Sequence, residues 1–419
     1  MNSFTVEGAR VLCPASGRDE VVPVTVESGV VARIGGRSSG TVVDGAGHLL
    51  IPGLIDMRVS TGEPGQENRE TVASAARAAA RGGVTTVVLQ PDTSPVVDDP
   101  SMVEFVRNRG RGADARVLVA GALTKGLRGE ELVEMGLLRA AGAAMFTSGP
   151  EPVVDARLLR RVLQYSRAFG TLVANRCETP SLVAVAHESA LSSRLGLAGE
   201  PAVGEEIAAA RDIALARDTG ARVLLDMVSS AEVLGHITRA KAQGVPVHAS
   251  VGVNHLALNE VDIGDYRTFA KLRPPLRGEN DRRALLAAVV DGTVDVVVSD
   301  HDPRPAGAKR RPYAEAAAGA VGLELLLSIA LTLSANGDAE FADILPAMTS
   351  RPADLLGLPH GRIVEGAPAD LVLVDADAPW VCDSDRLESL SNNTPFDGRR
   401  LTGRAVRTWV GGREVWRRT

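Results

Sequence analysis

The sequence predicts an α/β protein, a (β/α)8 (TIM) barrel with a small β-sandwich module formed by the N- and C-terminal segments. Three observations indicate this fold. The chain has 419 residues, 45% of them hydrophobic and 23% charged, which suits a large globular protein rather than a disordered one. Its middle part alternates short β-branched runs with helical stretches. Both chain ends are rich in short strands separated by Gly and Pro.

Eight buried runs are predicted to be the barrel strands. They are Gly53–Val59, Val84–Leu89, Arg116–Gly121, Ala143–Phe146, Thr171–Ala174, Val223–Leu225, Val245–Ser250 and Val294–Ser299. The main predicted helices are Glu67–Arg81, Asp155–Phe169, Ala202–Thr219, Ala231–Gln243, Asp281–Asp291, Ala314–Ser334 and Asp338–Met348. In such a barrel the active face lies at the carboxyl ends of the strands, so chemistry is expected there.

The two chain ends are predicted to form one module because both are built from short strands. At the N-terminal end these are Ser3–Leu12, Val22–Val26, Val30–Ile34 and Thr41–Asp44. At the C-terminal end they are Gly361–Val364, Asp370–Val374, Ala405–Val410 and Arg413–Val415. We therefore expect residues 1–52 and 356–419 to form a composite β domain and residues 53–355 to form the barrel.

The composition excludes several function classes. A net charge of −6 and an aromatic content of 3% argue against nucleic acid as a partner. The sequence has no apolar run of about 18 residues and no signal-like N-terminus, so neither a membrane span nor a secretion signal is expected. The three cysteines form no CxxC motif, which predicts a reducing, cytoplasmic location.

Several motifs occur in an order that resembles the dihydroorotases, of the cyclic amidohydrolase superfamily. The segment from Pro52 to Gly65 (PGLIDMRVSTGEPG) resembles the family signature PGLID-x-H-V-H-x-R-E-P-G. Further matches are Gln90–Thr93, Cys177-Glu178, Leu195–Leu197, Arg211–Ile213, Lys271–Arg277, Ser299–His301 and Asn392–Phe396. The resemblance spans nearly the whole chain. It implies a metal-dependent barrel that interconverts carbamoyl-aspartate and dihydroorotate in pyrimidine biosynthesis.

The catalytic positions implied by this resemblance mostly depart from the family pattern. Positions that bind metal in the family hold Arg58, Ser60, Ser148, Arg176 and Met227 here. Positions that bind substrate hold Gly62, Asp92 and Arg304. Only Asp300, the family's metal ligand and proton shuttle, keeps its identity, and we expect its catalytic role to be vestigial.

These substitutions predict that no catalytic metal is bound. Zinc needs lone pairs from neutral imidazole, thiolate or carboxylate, whereas arginine stays protonated. None of the seven histidines stands at a family metal position, and no HxH, HExxH or CxxC motif occurs. We therefore expect no cofactor, with zinc required only if the chain is an active enzyme after all.

Charge suggests what replaces the metal. Arg58 and Arg176 occupy positions from which two metal-binding histidines would point inward. We expect a guanidinium to take over the positive charge of the metal and to pair with Asp300. For the segment Lys271–Arg277 (KLRPPLR) two interpretations stay open, an anion site and a solvated loop.

The function expected from the resemblance is that of a catalytically inactive dihydroorotase homologue. Some family members are retained because they hold aspartate carbamoyltransferase in a large assembly, so this transferase is the expected partner in a homo- or hetero-oligomer. One alternative is an active cyclic amidohydrolase with a site rebuilt around Asp300. Another is a small-molecule binding protein in which Arg58 or Arg176 holds an anion.

Overall fold

A computed structural model describes residues 3–418 of the chain. Its centre is a sheet of eight parallel strands, which confirms the predicted barrel. The barrel strands, first to eighth, are Leu54–Val59, Val84–Leu89, Arg116–Ala122, Ala143–Thr147, Val173–Arg176, Val223–Asp226, Val247–Gly252 and Val296–Val298. The first and eighth strands meet where the Ser60 N–H donates to the His301 carbonyl at 2.8 Å, next to a parallel bridge between Val59 and His301. This contact closes the ring.

Helices pack around the barrel and cover its outer surface. Their bounds are Val72–Arg81, Pro100–Arg109, Met135–Ala141, Ala156–Arg167, Ala190–Leu195, Val203–Thr219, Ala231–Ala242, Val253–Ala257, Glu279–Val290, Ala306–Lys309, Leu326–Ala335, Phe341–Ile344 and Ser350–Leu356. Their local sequences explain several ends, for example the Thr71–Ser74 capping box that starts the first helix. No helix within residues 3–418 combines the length and apolar composition that crossing a membrane requires.

The two chain ends form the predicted β sandwich. One sheet has six strands, in the order Arg413–Arg417, Arg400–Val410, Leu371–Val381, Leu49–Pro52, Arg10–Cys13 and Arg18–Val21. The other has four, in the order Val30–Ile34, Val24–Glu27, Phe4–Glu7 and Thr41–Asp44. Phe4 of the smaller sheet stacks on Trp409 of the larger, with ring centroids 5.4 Å apart, and both rings are buried. Residues 1, 2 and 419 of the expected β domain lie outside the described residues.

Three predicted elements were wrong in part. The predicted strand Ser3–Leu12 is split, because Gly8 adopts a positive φ of 74° and turns the chain. The predicted strand Gly361–Val364 does not form; Gly361 turns with a φ of 74°. The predicted helix Ala314–Ser334 is helical only from Leu326 onward.

Residues 313–325 form turns at 313–315 and 323–325, with an irregular stretch between them that contacts the end of the eighth strand. Ala320 forms a parallel bridge to His301, and Gly319 has a φ of 121°. A Cβ on Gly322 would meet the backbone of Ser299. Tertiary contact with the eighth strand therefore overrides the high helix propensity of this alanine-rich segment.

Candidate functional site

Arg58, Asp226 and Asp300 meet at the carboxyl ends of three barrel strands. Arg58 belongs to the first strand, Asp226 ends the sixth, and Asp300 follows the eighth. The Arg58 Nε donates to Asp300 Oδ1 at 3.1 Å, and its Nη1 donates to Asp226 Oδ2. All three side chains are at most 10% exposed. The predicted pairing of a guanidinium with Asp300 is therefore confirmed for Arg58, which spans two carboxylates rather than one.

The surrounding backbone fixes this triad. Met227 and Asp300 have positive φ angles of 62° and 50°, which are rare for residues with side chains. Ser250 stabilises the turn after the sixth strand, because its Oγ donates to Asp226 Oδ1 at 2.9 Å and accepts from the Met227 N–H at 3.0 Å. The side chain of Met227 lies in the apolar cluster inside the barrel together with Met57. Position 227, which binds metal in the family, thus contributes an apolar side chain to the core of this barrel.

Burial and charge set the protonation of the triad. Burial disfavours the Arg58 cation, yet the nearby Asp226, Asp300 and Asp92 raise its pKa above the ordinary value. Burial raises the pKa of Asp300 to about 6, against the opposing effect of Arg58 and Arg176. The triad therefore holds a permanent cation, and the proton affinity of Asp300 is increased.

Arg176, the other arginine that the charge hypothesis named, pairs with Glu178 instead of Asp300. Its Nε lies 3.4 Å from Glu178 Oε2, and its Nη2 donates to the carbonyl of Arg273. Arg273 in turn pairs with Glu178 and, at 2.7 Å, with Glu151. The competing partner comes from a loop 97 residues later in the chain, which the sequence pattern did not indicate.

The basic segment Lys271–Arg277 is neither a free anion site nor a solvated loop. Lys271 Nζ is buried and donates to the carbonyls of Tyr313 and Ala314, each at 2.9 Å. Arg277 is buried and pairs with Glu200 at 2.8 Å. These cations, like Arg273, already bind oxygen atoms of the chain itself.

The remaining substituted positions also have structural contacts. The Ser60 Oγ lies 3.3 Å from Asp92 Oδ1, and burial raises the pKa of Asp92. The Ser148 Oγ accepts from the Arg176 N–H at 3.0 Å. Arg304 Nη2 pairs with Asp302 at 2.5 Å. Each of these side chains thus has a hydrogen-bond or ion-pair partner within the chain.

Gly62 leaves no room for the substrate-binding arginine that the family has at this position. A Cβ added to Gly62 would overlap the carbonyl oxygen of Gln66. Two backbone hydrogen bonds close the same turn. The Gln66 N–H donates to the Gly62 carbonyl at 2.6 Å, and the Gly62 N–H donates to the backbone carbonyl of Glu70 at 2.8 Å. The loop after the first strand has therefore folded into space that a longer side chain would need.

The barrel interior is filled on the inner side of the triad. The cavity that lies between Arg58, Asp226 and Ser250 has a volume of about 0 Å³. A single water needs roughly 10–15 Å³, so even a water molecule does not fit there. The barrel interior next to Asp226 therefore holds no space for a ligand on the inner side of Arg58.

The residues at the mouth do not fit a zinc ion. Within the described part of the chain, no three or more His, Cys, Asp or Glu side chains are grouped so that they could hold a metal. Of the two nearby histidines, His255 is buried with a pKa lowered to about 4 by desolvation and contacts the Pro274 carbonyl at 3.0 Å. His301 accepts from the Gly322 N–H at 3.2 Å through Nδ1. The other ring nitrogen of His301, Nε2, lies 3.5 Å from the Glu70 Oε2 carboxylate oxygen.

Sequence reasoning missed Asp226 as the second carboxylate of the triad. The resemblance pointed to Met227, its neighbour, because that residue aligns with a family histidine. A carboxylate at the end of a parallel strand was the available signal, since strand ends of the barrel converge on one face.

Comparisons with known proteins agree with the motifs. The family model described as dihydro-orotase-like matches residues 47–233. The chain is 42% identical to a dihydroorotase of Anaeromyxobacter dehalogenans, over 98% of this chain and 97% of the relative. It is 41% identical to a dihydroorotase of Pelotomaculum thermopropionicum, with the same two coverages.

A solved structure shares the fold. The L-hydantoinase (dihydropyrimidinase) of Arthrobacter aurescens superposes with a TM-score of 0.90, over 100% of this chain and 96% of that one, at 24% identity. This likeness shows a common barrel and β sandwich. Together with the matched motifs and the full-length relatives, it leads to one conclusion: the chain belongs to the dihydroorotase family.

Proposed function

We propose that this chain is a catalytically inactive dihydroorotase homologue that serves as a structural partner of aspartate carbamoyltransferase. The observation that carries the first half is the position of Arg58. Its guanidinium lies between Asp226 and Asp300, at a family metal position, and is paired with both carboxylates. A cation that is part of the chain thus occupies the place where a hydrolytic site requires a metal.

The chemistry of the family supports this reading. A hydrolytic zinc site needs about three protein ligands and an open position, where bound water reaches a pKa of about 7. Arg58, Arg176 and Met227 supply no such ligand, and Asp300 is hydrogen-bonded to Arg58 rather than free to accept a proton from water. Gly62 also removes the guanidinium that holds the substrate carboxylate in the family.

The partner half of the proposal rests on the family resemblance alone. A scaffold needs a folded barrel surface and no metal, which accounts for scaffold motifs that persist beside a substituted active site. The proposal places the chain in the cytoplasm, in keeping with three free, buried cysteines.

The opposing candidate is an active cyclic amidohydrolase. It is favoured by the 42% identity to a protein called dihydroorotase over nearly the full length of both chains. In that case Arg58 would have to withdraw from Asp300 to admit metal and substrate.

Metal content and activity separate the two candidates. The purified protein and the Anaeromyxobacter dehalogenans dihydroorotase would be prepared identically, analysed for zinc, and assayed for carbamoyl-aspartate cyclisation. We expect substoichiometric zinc and no activity in this chain. Stoichiometric zinc together with cyclisation would overturn the inactive reading.

Complex formation tests the scaffold. The chain would be mixed with aspartate carbamoyltransferase from the same organism and run by size exclusion with light scattering, with serum albumin as the non-binding control. We expect a co-eluting complex and transferase activity that changes or gains stability on mixing. Separate elution at micromolar concentrations, with unchanged transferase activity, would refute the partnership while leaving the inactivity result intact.

A further inference from the structure

A second cavity lies away from the barrel mouth, where the barrel meets the β sandwich. It has a volume of about 680 Å³, within the range of roughly 300–1,000 Å³ typical of small-molecule sites. We call it the Trp–Arg cavity. The residues of its wall that matter here are Arg81, Glu324, Trp380, Arg404, Trp416 and Arg418.

Most charges in this wall are already paired. Arg81 lies 3.0 Å from Glu324 and 3.1 Å from Glu388. Burial raises the pKa of Glu324 to about 7, so this carboxylate is neutralised either by Arg81 or by a proton. The other paired guanidiniums are Arg386, with Asp383, and Arg417, with Glu414.

Arg404 and Arg418 differ from these. Across residues 3–418, no carboxylate lies within ion-pair distance of either guanidinium. Burial lowers the pKa of Arg404 to about 10, and repulsion from Arg418 and Arg81 adds to this effect. Counted over residues 3–418, the wall therefore has two unpaired arginines, in a cavity that is partly shielded from water.

Two tryptophans supply planar surfaces beside these cations. The Arg404 guanidinium lies 3.7 Å from the ring centroid of Trp380, a close cation–π contact. Trp380 and Trp416 are both partly exposed at the cavity, whereas the third tryptophan of the chain, Trp409, is buried. Indole faces of this kind stack on nucleic-acid bases irrespective of the base.

We propose that the Trp–Arg cavity binds an anion that carries a planar ring, of the nucleoside phosphate class. A phosphate oxygen pair matches the fork of donors on an arginine, and the two unpaired arginines match a dianionic group. The Trp416 indole would hold the ring, since the Arg404 guanidinium covers one face of Trp380. This site is independent of the barrel mouth, so it stands or falls apart from the proposed inactivity and partnership.

Binding is testable on the full-length chain by calorimetry and by intrinsic fluorescence. The probes are ATP, UTP and inorganic pyrophosphate, with fluorescence excited at the red edge of indole absorption. Because two of the three tryptophans line the cavity, we expect saturable quenching by a nucleotide. Stacking contributes about 1–3 kcal/mol, so the nucleotide should bind at least about fivefold more tightly than pyrophosphate.

Variants locate the site. Arg404→Gln and the more exposed Arg418→Gln should each raise the nucleotide Kd about tenfold, since each removes a charged hydrogen-bond donor. Arg160→Gln is the matched control, because Arg160 pairs with Asp218 on the surface outside this cavity. Thermal melts would verify that each variant is folded.

Three results would overturn the proposal. The first is that neither nucleotide gives a saturable signal at about 1 mM, a concentration at which even a weak complex of about −4 kcal/mol forms. The second is that pyrophosphate binds as tightly as a nucleotide. The third is that nucleotide affinity is unchanged in both folded arginine variants.

Discussion

Replacing Arg58 by methionine tests whether its guanidinium holds the barrel mouth together. Methionine keeps much of the side-chain length but removes the charge from between Asp226 and Asp300. Both carboxylates are at most 7% exposed, so they would lose their cation without gaining water. Breaking a buried pair in this way costs about 3–5 kcal/mol, which we expect as the loss in free energy of unfolding.

The loss of stability caused by Arg58→Met should depend on pH and should be larger at higher pH. Without Arg58 the pKa of Asp300 rises further above its present value of about 6, because an opposing positive charge is removed. An acid with a raised pKa in the folded state destabilises the fold as pH rises through the interval between its unfolded and folded pKa values. Arg58→Met should therefore be more damaging at about pH 8 than at about pH 5.

Urea unfolding followed by tryptophan fluorescence measures the effect, and Arg160→Met is the matched control. The Arg160–Asp218 pair is also short, at 2.6 Å, but both side chains are 48% exposed, so its loss should cost about 0–1 kcal/mol. Adding Asp226→Asn and Asp300→Asn to Arg58→Met should recover much of the stability, because the stranded charges disappear. The reasoning fails if Arg58→Met destabilises no more than the control, or equally at both pH values.

Further predictions concern the Gly62 turn, Asp300 and the cysteines. In a urea titration, Gly62→Ala should lower the free energy of unfolding by about 1–3 kcal/mol, because the added methyl group overpacks the turn. The control is Gly235→Ala, which should be neutral or stabilising because Gly235 lies in a helix with open space around it. The change in stability caused by Asp300→Asn should be more favourable at pH 7 than at about pH 4, because the raised pKa of Asp300 penalises the fold only at higher pH; equal changes at both pH values would contradict this. The three buried cysteines should react with a thiol reagent far more slowly in the native protein than in urea, and rapid native labelling would be the contrary result.

Periodicity and residue type were sufficient to predict the barrel. The second strand, Val84–Leu89, occurs with the predicted bounds, because its β-branched residues are buried throughout. The first helix was predicted to begin at Glu67 but begins at Val72. There the Thr71 cap and the Glu63 carboxylate, which accepts from the Val72 N–H at 2.9 Å, fix the start. Such a contact joins residues nine positions apart and is not visible in a local pattern.

The sequence predicted which individual residues belong to the candidate site, but only part of their pairing. Motif comparison located Arg58 and Asp300, and charge complementarity predicted their pairing. Charge complementarity did not show which of the two arginines, Arg58 or Arg176, would pair with Asp300. Arg176 is taken up by Glu178 and by the carbonyl of Arg273, which only the tertiary fold brings near it. The partners of a buried ion pair depend on the three-dimensional arrangement of the side chains. Composition and residue spacing do not reveal that arrangement.

The shared guanidinium of Arg58 has a consequence for evolution. A single change of Arg58 to histidine would leave Asp226 and Asp300 without their cation, yet zinc would still lack ligands at Arg176 and Met227. This first step towards a metal site would therefore lower stability without completing a ligand set. Selection for folding alone would act against this variant, so a metal ligand at position 58 would have to be acquired together with other changes.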